Sequence, residues 1–254
     1  MIILNDKICK DNKIFLDSGY NFGYGVFETI LVKKNPVMLE DHIERLNNSL
    51  RILNIDKEIT KDYMLEKWRQ IKASNCVLKI SVSENNTLIS TRDIPYNKEH
   101  YKKGFSLLIN KSIKKNPFSN CTYLKTFNYM DNIIEKRKAK NQGFDEVLFL
   151  NTNNKICEGS ISNIFFVNNH KIYTPALKCG LLNGIVRKWI IDNFKVIEGE
   201  YTIEDIINSQ EVFITNSIIG IMKITKINEK VLSLNNPKTC EIQRYYDNYI
   251  NICK

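Results

Sequence analysis

Segments with strand spacing and segments with helix spacing follow one another in this chain without regular alternation, and that order restricts the fold more than any single motif. Up to Val32 the sequence reads as short strands broken by turns at Asp17-Ser18-Gly19 and Gly23-Tyr24-Gly25, ending in a strand over 26–32. Leu39, Ile43, Leu46, Leu50 and Leu53 then recur at steps of four and three, the spacing of one helix face. Thr60 can cap a second helix whose inner side holds Met64, Trp68 and Ile71, and strands return at 77–82 and 104–109. The stretch from Ile113 to Cys121 is irregular and contains Pro117. Beyond it the spacing predicts a helix over 128–141 closed by Gly143, a strand over 145–150, a hairpin-type turn at Asn151-Thr152-Asn153-Asn154 and a strand over 161–167. Helices over 184–194 and 202–208, a strand pair within 212–234 and a last helix from Pro237 complete the chain. A doubly wound parallel sheet alternates strand and helix regularly. This order reads instead as α+β in two lobes, an N-terminal subdomain over 1–112 and a C-terminal one over 123–254, joined by a loop over 113–122.

A chain of 254 residues with 43% hydrophobic and 26% charged residues can bury a sizeable core. Lys and Arg exceed Asp and Glu by 37 to 28, a net charge of +9. The basic residues are spread along the chain, as at Lys33-Lys34, Lys102-Lys103 and Lys114-Lys115, with no basic block interleaved with aromatics. That pattern argues against nucleic acid and leaves a small anionic substrate compatible. Cys9, Cys76, Cys121, Cys157, Cys179, Cys240 and Cys253 make an odd count without CxxC spacing, so reduced thiols in the cytoplasm are expected. No signal peptide and no apolar run of membrane-spanning length is read. His42, His100 and His170 are too scattered for a metal site and each reads as a surface residue. A P-loop is absent, and Gly23-Tyr24-Gly25 lacks the third glycine of a dinucleotide fingerprint.

Six segments stand out: Phe22-Gly23-Tyr24-Gly25-Val26-Phe27-Glu28-Thr29, His42-Ile43-Glu44-Arg45-Leu46, Leu124-Lys125-Thr126-Phe127-Asn128-Tyr129, Glu158-Gly159-Ser160-Ile161-Ser162-Asn163-Ile164-Phe165, Leu182-Asn183-Gly184-Ile185-Val186-Arg187 and Val212-Phe213-Ile214-Thr215-Asn216-Ser217. Taken in this order they resemble the fold-type IV enzymes that use pyridoxal 5'-phosphate, a family of branched-chain aminotransferases, D-amino acid aminotransferases and aminodeoxychorismate lyases. The resemblance implies a smaller N-terminal α/β subdomain, a larger C-terminal pseudo-barrel subdomain with the Schiff-base lysine, and a homodimer with the cofactor near the subunit boundary. Where the family has Asp, this chain has Tyr24, a departure on the substrate side.

Residue by residue, the resemblance makes Lys125 the covalent attachment point of the cofactor and the base that moves a proton. Read alone it is a surface lysine, although Leu124 and Phe127 nearby can desolvate it. Glu158, 33 residues on, matches the carboxylate that pairs with the pyridine nitrogen; read alone it is equally a solvated turn residue. Arg45 matches the phosphate-binding arginine, its alternative being an ion pair with Glu44 or Asp41. Ile185 and Val186 open a helix whose backbone N–H groups suit phosphate. Asn216 and Ser217 add an amide and a hydroxyl, and Tyr129 is within reach of the ring oxygen.

Within the family the sequence inclines to 4-amino-4-deoxychorismate lyase, which releases pyruvate and leaves 4-aminobenzoate for folate synthesis. The run Thr215-Asn216-Ser217-Ile218-Ile219-Gly220-Ile221-Met222 resembles the lyases more than the transaminases. The Arg-x-His carboxylate clamp of D-amino acid transaminases is missing, since Arg92 is followed two residues on by Ile94. The alternative is an aminotransferase for D-amino or branched-chain amino acids. Tyr24, Glu28, Thr29 and Arg92 are the substrate-side candidates, with alternation allowing only one of Glu28 and Thr29 to face the pocket. Arg92 also reads as a solvated loop arginine.

Overall fold

In the computed structural model, which describes residues 2–9 and 13–252, the expected N-terminal strands appear as β1 (Ile2–Leu4), β2 (Lys7–Ile8) and β3 (Gly25–Val32). Met1 and Cys253 lie outside the described residues. The turn expected at Asp17-Ser18-Gly19 instead opens a short helix, α1 (Ser18–Phe22), because the Asp17 carboxylate accepts the Tyr20 N–H as its cap. The apolar stripe of 39–53 forms α2 (Leu39–Ile52). Thr60 caps α3 (Lys61–Ile71) by accepting the Tyr63 N–H. Two further strands, β4 (Cys76–Ser83) and β5 (Thr87–Arg92), complete an antiparallel sheet in the order β2-β1-β5-β4-β3. Val26, Ile30, Leu78 and Ile80 pack on this sheet's inner face against Leu46 and Leu50 of α2 and Met64 of α3.

This first unit extends to Pro95 and takes back one later segment, Leu124–Asn128. That segment pairs with the free edge of β3: the Phe27 N–H donates to the Lys125 carbonyl at 2.9 Å and the Phe127 N–H to the Gly25 carbonyl at 2.9 Å. The sequence alone assigned this stretch to the C-terminal lobe. Only the non-local bridge between Val26 and Thr126 transfers it.

The second unit comprises Tyr96–Tyr123 and Tyr129–Ile252, so it begins earlier than the boundary read at 112–113. After α4 (Lys98–Lys103) comes β6 (Phe105–Lys115), which extends into the start of the region read as irregular because β-pairing continues to Lys115. Then follow α5 (Met130–Asn141), β7 (Glu146–Asn151), β8 (Ile156–Gly159), β9 (Asn163–Asn168), β10 (Lys171–Pro175), α6 (Ile185–Asn193), β11 (Val196–Gly199), α7 (Ile203–Ile207), β12 (Glu211–Asn216), β13 (Gly220–Ile227), β14 (Lys230–Val231) and α8 (Pro237–Ile252). The turn between β7 and β8 is the one anticipated, with Asn154 at φ 58°. Pairing runs β9-β12-β13-β6-β7-β8 and returns from β8 to β9, closing a six-stranded ring. Leu107, Leu148, Ile164, Phe166, Ile214 and Ile224 form its core. The α+β class and the C-terminal barrel are therefore as expected.

Among the described residues the cysteines are free thiols, and no helix is long and apolar enough to cross a membrane.

Candidate active site

In the first unit the site residues are arranged by strand register. Side chains alternate across β3, so Val26, Glu28 and Ile30 are buried while Phe27 and Thr29 take the opposite face. Lys125 lies across from Phe27 on the added segment, and its Nζ sits 4.4 Å from the Phe27 ring centroid. On the other side of β3, Thr29 pairs with Lys79, whose Nζ is 4.7 Å from the same ring. Val77 pairs with Arg92, and alternation puts Arg92 on the Lys79 face. Burial pushes the half-buried Lys79 ammonium below its ordinary pKa, and the Arg92 charge adds to that. This one face thus carries Thr29 and Arg92 together with Lys125 and Lys79, the two lysines that stand against the Phe27 ring.

Lys79 escaped the sequence reading, since a lysine alternating with apolar residues in a strand looks like a solvated face. Its signal was the register with Thr29, which only the fold supplies.

The inner face holds a second group. Glu28 is 1% exposed. Arg45 donates to it from Nε and Nη2, each at 2.7 Å, and His42 Nδ1 lies 2.7 Å from Oε2. Burial alone would raise the Glu28 pKa, but the Arg45 and His42 partners outweigh it and hold the carboxylate well below its usual range. Burial lowers the His42 pKa, against the pull of Glu28. His42, read as a surface residue, is 1% exposed. Glu28, read as a substrate residue, is committed to α2; Thr29 takes the outer position instead. Tyr24 likewise turns inward and donates its hydroxyl to the Leu53 carbonyl at the end of α2.

In the second unit Glu158 ends β8 and is 7% exposed. Its Oε2 accepts the Leu182 N–H at 3.0 Å and its Oε1 is 3.3 Å from Lys115 Nζ. The loop carrying Leu182 leads into α6, whose N-cap Gly184 has no side-chain cap. A Cβ on Gly184 would stand 2.0 Å from Asn163 Oδ1, so glycine is required for this approach. Ile185 and Val186 accordingly present first-turn N–H groups, the anion-binding end of a helix. At the end of β12 the Asn216 Oδ1 accepts the N–H groups of Ile218 and Ile219, which turns its side-chain NH₂ to other contacts. Ser217 is half-buried beside it. The Thr215 hydroxyl is buried without a hydrogen-bond partner, a donor the sequence did not single out. Tyr129 is half-buried immediately before α5.

Residues 25–227 match the profile of the amino-transferase class IV family. An aminodeoxychorismate lyase of Bacillus subtilis is 32% identical, covering 90% of this chain and 87% of the relative. A D-alanine aminotransferase of Listeria innocua is 25% identical over 96% of this chain and 94% of its own length. The branched-chain amino acid aminotransferase of Escherichia coli superposes with a TM-score of 0.89 at 21% identity, covering 98% of this chain and 94% of that one, and so shares its fold. The chain belongs to the class IV amino-transferase family.

Proposed function

We propose that this protein is a pyridoxal 5'-phosphate-dependent 4-amino-4-deoxychorismate lyase, forming 4-aminobenzoate and pyruvate from a small anionic amine in the folate route. The observation that carries this reading is the cationic pair Lys79 and Arg92 on the Lys125 face of the first sheet. The substrate of such a lyase bears two carboxylates, and two cations suit it better than a single amino-acid carboxylate. The B. subtilis relative supports the same reading.

The donor set suits the cofactor. In the second unit the uncapped start of α6 and the unpartnered Thr215 hydroxyl offer donors of the kind a phosphate needs, with Asn216 and Ser217 assigned to the same anion; Arg45 is assigned to phosphate by the resemblance alone, its Nε and Nη2 being held by Glu28. Glu158 is the carboxylate for the ring nitrogen, Lys125 the amine for covalent attachment and Tyr129 the hydroxyl for the ring oxygen.

Bound pyridoxal phosphate supplies an electron sink at the amine-bearing carbon of the substrate. Lys125 takes the proton from that carbon. The carbon–oxygen bond at the neighbouring ring carbon then breaks, its electron pair leaves with enolpyruvate, and the ring becomes aromatic. The one proton that Lys125 removed is delivered to the methylene carbon of the departing enolate, while the Thr29 hydroxyl on the same face donates a hydrogen bond to the enolate oxygen, and pyruvate is complete. Atoms balance without water, oxidant or a second oxo acid. Lys79 and Arg92 hold the carboxylates so that the breaking bond stays over Lys125.

Incubation of the purified protein with pyridoxal phosphate and aminodeoxychorismate, with and without a 2-oxo acid, tests this. Equal 4-aminobenzoate and pyruvate without the oxo acid is the expected result. Amino transfer from a D- or branched-chain amino acid, with neither product formed, would make the chain an aminotransferase. The exposed run Ile14, Phe15, Leu16, Tyr20 and Phe22 supports a second copy of the chain as partner in the cytoplasm, and sedimentation should give a dimer.

A further inference from the structure

Lys115 has no place in the reading above, yet every direction of its ammonium is accounted for. Its Nζ donates to Asn132 Oδ1 at 2.8 Å, lies 3.3 Å from Glu158 Oε1 and stands 4.9 Å from the centroid of the Phe149 ring. Asn132 is itself oriented, because its Nδ2 donates to the Ser160 carbonyl at 2.6 Å, just past Glu158 in the chain. An amide whose nitrogen is fixed on a carbonyl must turn its oxygen to the ammonium. Asn132 is 5% exposed and the Lys115 side chain 16%, so neither has room to swing. The Leu182 N–H holds the other oxygen of Glu158. Strand β6, helix α5 and the loop before α6 therefore converge on one carboxylate.

A cation is not needed here for folding alone. A buried carboxylate can be satisfied by neutral donors, as Glu211 is by the N–H groups of Lys238 and Thr239 and the Thr239 hydroxyl. At Glu158 the fold instead brings a lysine along β6 and fixes it on both remaining sides.

We propose that Lys115, held by Asn132 and Phe149, is a positioning residue that keeps the Glu158 carboxylate aimed at the cofactor's ring nitrogen. This rests on the proposed function, in which Glu158 meets that nitrogen. Lys115 itself touches neither cofactor nor substrate; its whole effect passes through Glu158. An ammonium on one oxygen and the Leu182 N–H on the other fix the plane of the group, and with it the direction in which it can meet a ring nitrogen.

The test is a comparison of two cofactors. Pyridoxal phosphate and its 1-deaza analogue, in which C–H replaces the ring nitrogen, differ only at the atom Glu158 addresses. Dissociation constants of both are measured for wild type, Lys115→Met and Lys115→Arg, with borohydride reduction and intact mass reporting covalent uptake. In Lys115→Met the preference for pyridoxal phosphate over the analogue should fall by about tenfold, the size of one charged hydrogen bond, with Lys115→Arg keeping it. An equal loss for both cofactors would mean Lys115 only supports the fold, and an unchanged or increased preference would also overturn the proposal. Should Lys115→Met not fold, Asn132→Ala must lower the same preference, and its failure to do so counts equally against Lys115. If wild type takes up no pyridoxal phosphate, the functional reading fails and this inference falls with it; normal uptake with unaltered preference in the variants overturns the inference alone.

Discussion

Lys125, the proposed attachment point of the cofactor, shows how little of such a role is written in a lysine's own neighbourhood. Apolar neighbours like Leu124 and Phe127 flank many surface lysines; what sets this one apart is the cross-strand pairing that places it over Phe27. Resemblance proposed it, and the residues alone did not. Lys125→Ala should abolish the mass gain that borohydride reduction gives the wild-type protein loaded with pyridoxal phosphate, with an unchanged circular dichroism spectrum. A persisting adduct would move the attachment point elsewhere. His42 is the opposite case, because the surface reading overlooked a local signal of burial. It lies three residues after Leu39 and four before Leu46, on the apolar stripe of α2, where a histidine needs a buried partner, and Glu28 supplies one. Lys79 was legible to neither approach, since alternation marks a face and not what the face meets. Its loss is a specific prediction: Lys79→Met should lower kcat/KM for a dicarboxylate substrate by about tenfold to a hundredfold, the worth of a charge-assisted hydrogen bond, while pyridoxal phosphate affinity stays unchanged. Equal kinetics in wild type and variant would remove Lys79 from the substrate face.

Elements carry their own predictions through their ends. At the start of α6 the space for an added methyl is missing, as Asn163 Oδ1 occupies it while its Nδ2 donates to the Leu182 carbonyl at 2.8 Å. Gly184→Ala should therefore displace the first turn, cost about 1–3 kcal/mol in an unfolding titration, and weaken pyridoxal phosphate more than unphosphorylated pyridoxal. Equal weakening of the two would place the phosphate elsewhere. At the start of α1, Asp17 serves both the helix cap and the turn between β4 and β5, accepting from Ser83, Asn85, Asn86 and Tyr20. Burial opposes its charge, but these donors prevail and bring its pKa from 3.8 down to about 2. A depressed carboxylate pKa stabilises the fold fully above the unfolded value and loses that contribution as pH falls through the folded one. The stability gap between wild type and Asp17→Asn should then be constant above about pH 5 and close between about pH 4 and 2; a gap independent of pH would show that the charge contributes nothing. The cap at Thr60 and the turn at Asn151–Asn154 were readable because their signals are local. The cap at Asp17 was not, because most of its partners come from β4 and the turn beyond it.

On the scale of the whole molecule, the order of strands and helices was enough for the α+β class and two lobes, since layer architecture follows from which elements have apolar faces to cover. The boundaries were not, because they depend on pairings between distant residues. The β6–β13 and β6–β7 pairs are parallel, and nothing local in 105–115 announces partners as distant as Glu146 on one side and Ile224 on the other. The return of Leu124–Asn128 to the first unit has the same origin. Net charge, by contrast, needs no fold, and here it has a kinetic consequence. A protein of charge +9 attracts a dianion over distances set by the Debye length, which shrinks from about 10 Å at 0.1 M salt to about 3 Å at 1 M. Raising sodium chloride across that range should lower kcat/KM for aminodeoxychorismate several-fold with little change in kcat, since salt weakens encounter and not the proton transfer at Lys125. The Lys79→Met variant should start from a lower kcat/KM and show a shallower salt slope, because part of the attraction originates on the face where the substrate docks. Parallel slopes for wild type and variant would assign the attraction to the dispersed surface lysines, and a flat profile in both would leave the net charge without influence on capture.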